Sequence, residues 1–222
     1  DYLSQFSAIQ LAHNNAPLWI PITGHQPAIE ARIINGQLPE AHLIRHLETD
    51  LPGGTLLEIG TGNGFFAATA TALGKYKKIL TVDPRTVPQL ISRDFKNKNA
   101  PSLSLDYMKT NPGNATDPLL IYENTDLSDS PLPRLEKGAH TERLDTVIKE
   151  EVHCIICHWD LAAPAIISGA TKILEKHHPA CVIRLRRASQ DVVTQQMHRH
   201  GYQLKWARGA DDRQSDYLYF FR

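Results

Sequence analysis

The chain has 222 residues in which 24 Lys and Arg balance 24 Asp and Glu. That length suits one α/β domain with a sizeable core, and zero net charge gives no general pull toward nucleic acid or an anionic membrane. No run reaches the roughly 18 apolar residues that span a bilayer, and the start D-Y-L-S-Q-F lacks the basic flank and apolar centre of a secretion signal.

The first fifty residues carry scattered Pro, Gly and His, then a helical pattern of Leu38, Leu43, Ile44 and Leu47 that stops at Pro52-Gly53-Gly54. Residues 55–59 form a short apolar run expected as a buried parallel strand. Gly60, Thr61, Gly62, Asn63 and Gly64 then open onto a small-residue helix over 65–73, closed by Gly74. A second strand over 78–83 ends on Asp83, where Pro84 stops its continuation in a central sheet. Residues 88–97 read as a helix, 102–107 as a third strand, 111–118 as a turn-rich loop, 119–123 as a strand or hairpin arm, and 126–138 as exposed loop.

From 152 the alternation of strand and helix sharpens: an apolar run over 152–157, a helix over 164–174, and a buried strand over 180–185. A last helix over 192–200 ends at Gly201, and residues 202–207 and 217–221 form a closing antiparallel pair. Cys154 and Cys157 lie inside the apolar run, where a disulfide between near neighbours on one strand is strained, and the cysteine total of three is odd. Reduced, buried thiols and a cytoplasmic setting are therefore expected. Beginning at Asp1, the chain reads equally as one domain of a longer polypeptide.

The glycine turn carries the most chemistry. Backbone N–H groups there approach a ligand with no side chain in the way, and the helix behind adds partial positive charge. A dinucleotide site wants G-x-G-x-x-G, whereas this run is E-I-G-T-G-N-G followed by Phe65 and Phe66. Glu58 beside the turn repels a pyrophosphate and suits a cation, and S-adenosylmethionine carries a sulfonium and an ammonium. Asp83, at the end of the next strand, can accept both ribose hydroxyls or serve as a turn or capping acid before Pro84. Asp106 and Tyr107, after the third strand, are where adenine is expected.

Further residues give a resemblance. R-L-D-T-V from Arg143, H-C-I-I-C-H-W-D-L from His153, I-I-S-G-A from Ile166 and the 174–179 segment closing on Pro179 resemble the FkbM family of methyltransferases from about residue 40 onward. The family's motif I falls on Glu58, Gly60, Thr61, Asn63 and Gly64, and its E-P pair falls on Asp83 and Pro84. Its D-V-E-G signature falls on His158, Trp159, Asp160 and Leu161, so an acid has become His, the Glu has become Asp, and the glycine is gone. The resemblance implies a Rossmann-like class I methyltransferase fold: a mostly parallel seven-stranded sheet, helices on both faces and an antiparallel C-terminal strand. It divides the chain into a helical or lid segment over 1–40 and a methyltransferase domain over 41–222. It also implies O-methylation of a hydroxyl on a sugar, glycan or related metabolite, with S-adenosylmethionine converted to S-adenosylhomocysteine, alone or with glycosyltransferase domains. The altered signature keeps open a module that binds cofactor or partner without turnover.

His158 is the candidate base and Asp160 its orienting or acceptor-binding partner, against a capping role for the histidine. C-x-x-C-H from Cys154 also spells a haem-attachment pattern, but an apolar strand is the wrong context for haem, and side chains three apart on a strand point to opposite faces, which disfavours zinc. Mg2+ near Asp160 lacks a carboxylate cluster. Trp159 reads as a stacking platform or as packing, Arg184, Arg186 and Arg187 as anion contacts or a solvated face, and His177 and His178 as a helix cap.

Overall fold

The computed structural model describes residues 6–11, 14–21, 27–60, 65–83, 104–108, 111–112, 141–160, 162–210 and 215–222. The elements expected at 88–97, 119–123 and 126–138 lie outside these residues.

The segment over 1–40 opens with a hairpin and goes on to a helix. β1 (Phe6–Leu11) pairs antiparallel with β2 (Asn14–Pro21), followed by α1 (Pro27–Ile34). Pro17 and Pro21 point to loop, but in a two-stranded ribbon both strands are edges, and an edge tolerates a missing N–H. α2 (Ala41–Thr49) buries Leu43, Ile44 and Leu47, the periodic residues.

β3 (Gly54–Ile59), β4 (Tyr76–Val82), β5 (Ser104–Met108), β8 (Cys154–Cys157) and β9 (Ala180–Arg186) are parallel strands. Short β6 (Asn111–Pro112) and β7 (Thr141–Glu142) pair with each other, so part of the expected 111–118 loop is strand. At the C terminus β10 (Gln203–Gly209) and β11 (Ser215–Phe221) pair antiparallel, and β11 also runs antiparallel to β9. The sheet order is β10-β11-β9-β8-β3-β4-β5. This is the mostly parallel Rossmann-like arrangement with an antiparallel strand near one edge.

The helix expected over 164–174 is two helices, α5 (Ala163–Gly169) and α6 (Thr171–His177), with α4 (Leu144–Val147) before them. Ser168 Oγ donates to the Pro164 carbonyl at 3.0 Å and Thr171 Oγ1 to the Ser168 carbonyl at 3.1 Å. Such local bonds compete with the helical ladder and break it at Ala170. Asp145, in the R-L-D-T-V segment, accepts from the Ile173 N–H at 3.1 Å and so satisfies an otherwise open donor at the start of α6. His178 ends α6 in the left-handed region at φ 49. The last helix, α7 (Arg187–Arg199), begins five residues earlier than its apolar pattern suggests, because only Val193 and Met197 are buried and its first turn is polar.

Side chains alternate across the sheet. One face carries Leu56, Ile79, Cys154, Ile156, Val182, Tyr217 and Tyr219, packed with α2 and with α3 (Phe65–Ala72). The other carries Leu57, Ile59, Leu80, Ile155, Cys157, Ile183 and Leu218, packed with α5, α6 and α7. Cys154 and Cys157 thus fall on opposite faces, and all three thiols are free and buried. Burial pushes Cys154 and Cys157 up to about 12. Thiolate, the reactive form, is therefore absent at neutral pH. The native chain is expected to leave all three thiols unmodified by an aromatic disulfide reagent at pH 8, and to react at three equivalents once unfolded. Rapid modification of the native protein would contradict this burial. Among the described residues no helix is long and apolar enough to cross a membrane.

Candidate functional site

The same alternation assembles the site. Glu58 shares a sheet face with Leu56, Asp83 with Ile79 and Thr81, His158 with Cys154 and Ile156, and Arg184 lies opposite Tyr217 in the β9–β11 register. Neighbouring strands therefore deliver Glu58, Asp83, His158, Arg184 and Tyr217 to one face at the carboxyl edge of the sheet, where open α/β sheets bind ligands.

Gly60 makes the turn out of β3. Its φ is +84, and its N–H donates to the Val82 carbonyl at 2.9 Å. A Cβ here would lie 2.5 Å from Trp159 Nε1. Trp159 is 1% exposed, so its indole packs against the turn and does not present a stacking platform to solvent. Thr61, Gly62, Asn63 and Gly64 lie outside the described residues. Asp106 and Tyr107 sit on β5, in register with Leu80 and Thr81, and β4 and β3 separate β5 from β8.

Glu58 is fully buried, and among the described residues neither carboxyl oxygen has a hydrogen-bond partner. Burial, then the charge of Asp83, raises its carboxyl well above the ordinary value of 4.5; the Ala67 N–H on α3 pulls the other way without satisfying it. Asp83 is equally buried. An unsatisfied buried acid is expensive, and two acids beside a glycine turn form a place where a cation offsets that cost. The residues present thus fit a ligand with a sulfonium and an ammonium, and oppose a pyrophosphate.

His158 lies next to this pair. Nε2 is buried, 3.5 Å from Glu58 Oε1, and has no hydrogen-bond partner among the described residues, while Nδ1 meets Tyr217 Oη at 3.2 Å. The Phe66 ring packs on the imidazole with centroids 4.4 Å apart. Burial, then the charge of Arg184, lowers the basicity of His158 to about 3. The side chain is thus a neutral imidazole in a dry setting, and the backbone N–H of His158 is tied to the Ile59 carbonyl at 2.9 Å.

Asp160 does not orient His158. Its carboxylate accepts from Arg186 Nε at 2.7 Å, and the ring is held by Tyr217 and Phe66, neither of which stands out as a site residue in the sequence. Tyr217 lies far along the chain on the antiparallel strand, so only strand order brings it there. Phe66 directly follows the glycine run, where its place in a small-residue helix points to packing. Among the described residues no three His, Cys, Asp or Glu side chains are grouped to hold a metal ion.

No family model matches the chain, and no curated protein matches it in sequence. Solved structures do resemble it. A ribosomal protein L11 methylase from Lactobacillus delbrueckii subsp. bulgaricus superposes at TM-score 0.56 and 14% identity, covering 82% of this chain and 76% of that one. The methyltransferase FkbM from Methylobacillus flagellatus KT gives 0.54 at 16%, over 75% of this chain and 43% of that one. TrmK of M. capricolum, in complex with its cofactor product S-adenosylhomocysteine, gives 0.51 at 12%, over 81% and 67%. At these identities the likeness is one of architecture, and the chain has the Rossmann-like methyltransferase fold.

Proposed function

We propose that the chain is an S-adenosylmethionine-dependent O-methyltransferase of the FkbM kind, acting on a hydroxyl of a sugar, glycan or related metabolite. The observation that carries this is Glu58: a fully buried carboxyl whose two oxygens have no hydrogen-bond partner among the described residues, beside Asp83 and the Gly60 turn. Residues Gly60 to Gly64 would cradle the amino-acid end of the cofactor, Glu58 would offset its positive charge, and Asp83 would accept the ribose hydroxyls. Asp106 and Tyr107 remain the candidates beside adenine.

When bound, S-adenosylmethionine supplies a methyl group on a cationic sulfur. The chain must then align a hydroxyl and remove its proton. His158 would take up that proton at Nε2, which is buried and has no hydrogen-bond partner among the described residues, while Nδ1 is engaged by Tyr217. A base lowered to about 3 is weak, yet a hydroxyl oxygen that has gained a methyl is a far stronger acid than any imidazolium, so a neutral imidazole accepts its proton downhill. In this role His158 works best as a late proton acceptor, and positioning supplies most of the rate.

The test is turnover of labelled cofactor with a panel of sugar and glycan acceptors, wild type against His158→Ala. A loss of about a hundredfold or more in kcat, in the range of a general base, with cofactor affinity kept, supports the assignment. Cofactor binding without turnover on every acceptor favours a binding module, the reading that the altered D-V-E-G segment keeps in play.

A further inference from the structure

Three arginines cluster at the carboxyl end of β9 and the start of α7, and the structure treats them differently. Arg184 is half-buried and donates to Ser215 Oγ at 2.8 Å, so it is engaged within the sheet. Arg187 is exposed on the first turn of α7. Arg186 is neither. Its Nε donates at 2.7 Å to Asp160, whose side chain is 3% exposed, while the arginine side chain is 43% exposed.

That single contact fixes the plane of the guanidinium and leaves its other edge open. Among the described residues the two terminal nitrogens of Arg186 meet no acceptor. A guanidinium recruited only to neutralise Asp160 pairs best through two parallel bonds; here the buried acid takes one, at Nε. The outward edge is the fork that matches the two oxygens of a phosphate or carboxylate.

Its place in the sheet gives that fork a direction. Arg186 shares a sheet face with Arg184, two residues apart on the same strand, and Tyr217, opposite Arg184 in register, bonds His158. β8, whose end leads into His158, separates β9 with its arginines from β3 and β4 with Glu58 and Asp83. The site therefore has an acidic half and a basic half, with the buried imidazole of His158 between them. A cationic donor suits the first half, and the second is built for the opposite sign.

We infer that Arg186, held by Asp160, is a specificity-determining residue that binds an oxyanion, phosphate or carboxylate, carried by the methyl acceptor. This rests on the methyltransferase reading for the word acceptor; the anion site itself stands on the geometry of Arg186. The acceptor class narrows from any hydroxylated metabolite to one with an anionic group near the methylated hydroxyl.

The experiment follows the Arg186 Nε–Hε signal by NMR while inorganic phosphate, or separately acetate, is titrated into the full chain, with and without S-adenosylhomocysteine. A saturable shift with either anion, weakened tenfold or more in Arg186→Gln and partly restored in Arg186→Lys, supports the site, and the tighter anion names the class. Asp160→Asn should weaken it about fivefold with circular dichroism unchanged, because the fork loses its orientation. No saturable shift with either anion, or equal affinity in Arg186→Gln, overturns the proposal. S-adenosylhomocysteine binding serves as the separate readout: if it binds and the anions do not, the anion site fails alone; if the anions bind and it does not, the cofactor reading fails alone.

Discussion

Gly60→Ala destabilises the chain by about 2 to 4 kcal/mol and removes binding of S-adenosylmethionine. Two independent costs meet at this residue. A φ of +84 places any residue with a Cβ in the left-handed region, at about 1 kcal/mol. The new carbon would also stand 2.5 Å from Nε1 of Trp159, which is 1% exposed, so overpacking adds about 1 to 3 kcal/mol. For a chain of this length the sum lowers the melting temperature by roughly 5 to 15 °C. Binding is expected to suffer more than stability, because the proposed cofactor loop leaves β3 at Gly60. Thermal unfolding followed by titration with cofactor checks both halves. An unchanged melting temperature would mean that the indole does not wedge against the turn.

Glu58→Gln has the opposite character: it spares the fold and injures the site. Burial keeps the Glu58 carboxyl protonated well above its ordinary 4.5, and a glutamine amide has the same shape. A carboxyl raised on folding contributes stability that is fully present below about 4.5 and is lost as pH rises through the raised value. Wild type should therefore lose stability relative to Glu58→Gln as pH is raised, with the two nearly equal in acid. Cofactor binding reverses the preference, since a cationic ligand favours the ionised acid. Wild-type affinity should rise with pH and binding should release a proton, seen as a dependence of the calorimetric heat on the buffer's ionisation enthalpy. Glu58→Gln should lose both effects and bind about ten- to a hundredfold more weakly. A pH-independent affinity in wild type would contradict the role given to Glu58.

The parts of this molecule that are legible in its sequence are those where local pattern and tertiary need agree. The apolar run before Gly60, the acid closing β4, the runs at β8 and β9 and the antiparallel pair β10–β11 all follow from periodicity and turn chemistry. The misses have local causes. Pro17 and Pro21 mask a two-stranded ribbon that tolerates them, Ser168 and Thr171 cut one expected helix into two, and a polar first turn hides the start of α7. At the site, Glu58 and Asp83 can be named from their positions at strand ends. The bond between His158 and Tyr217, and the capture of Asp160 by Arg186, cannot. Both link residues distant in sequence across the order β11-β9-β8, which single-sequence periodicity does not reveal.

The cofactor assignment stands or falls on titration calorimetry of S-adenosylmethionine and S-adenosylhomocysteine into wild type and into Asp83→Ala. Micromolar binding to wild type, weakened about a hundredfold or more in the variant as charge-assisted bonds to the ribose are lost, is the result the buried acid pair predicts. No binding of either compound to correctly folded wild type would contradict the assignment, and with it the methyltransferase reading.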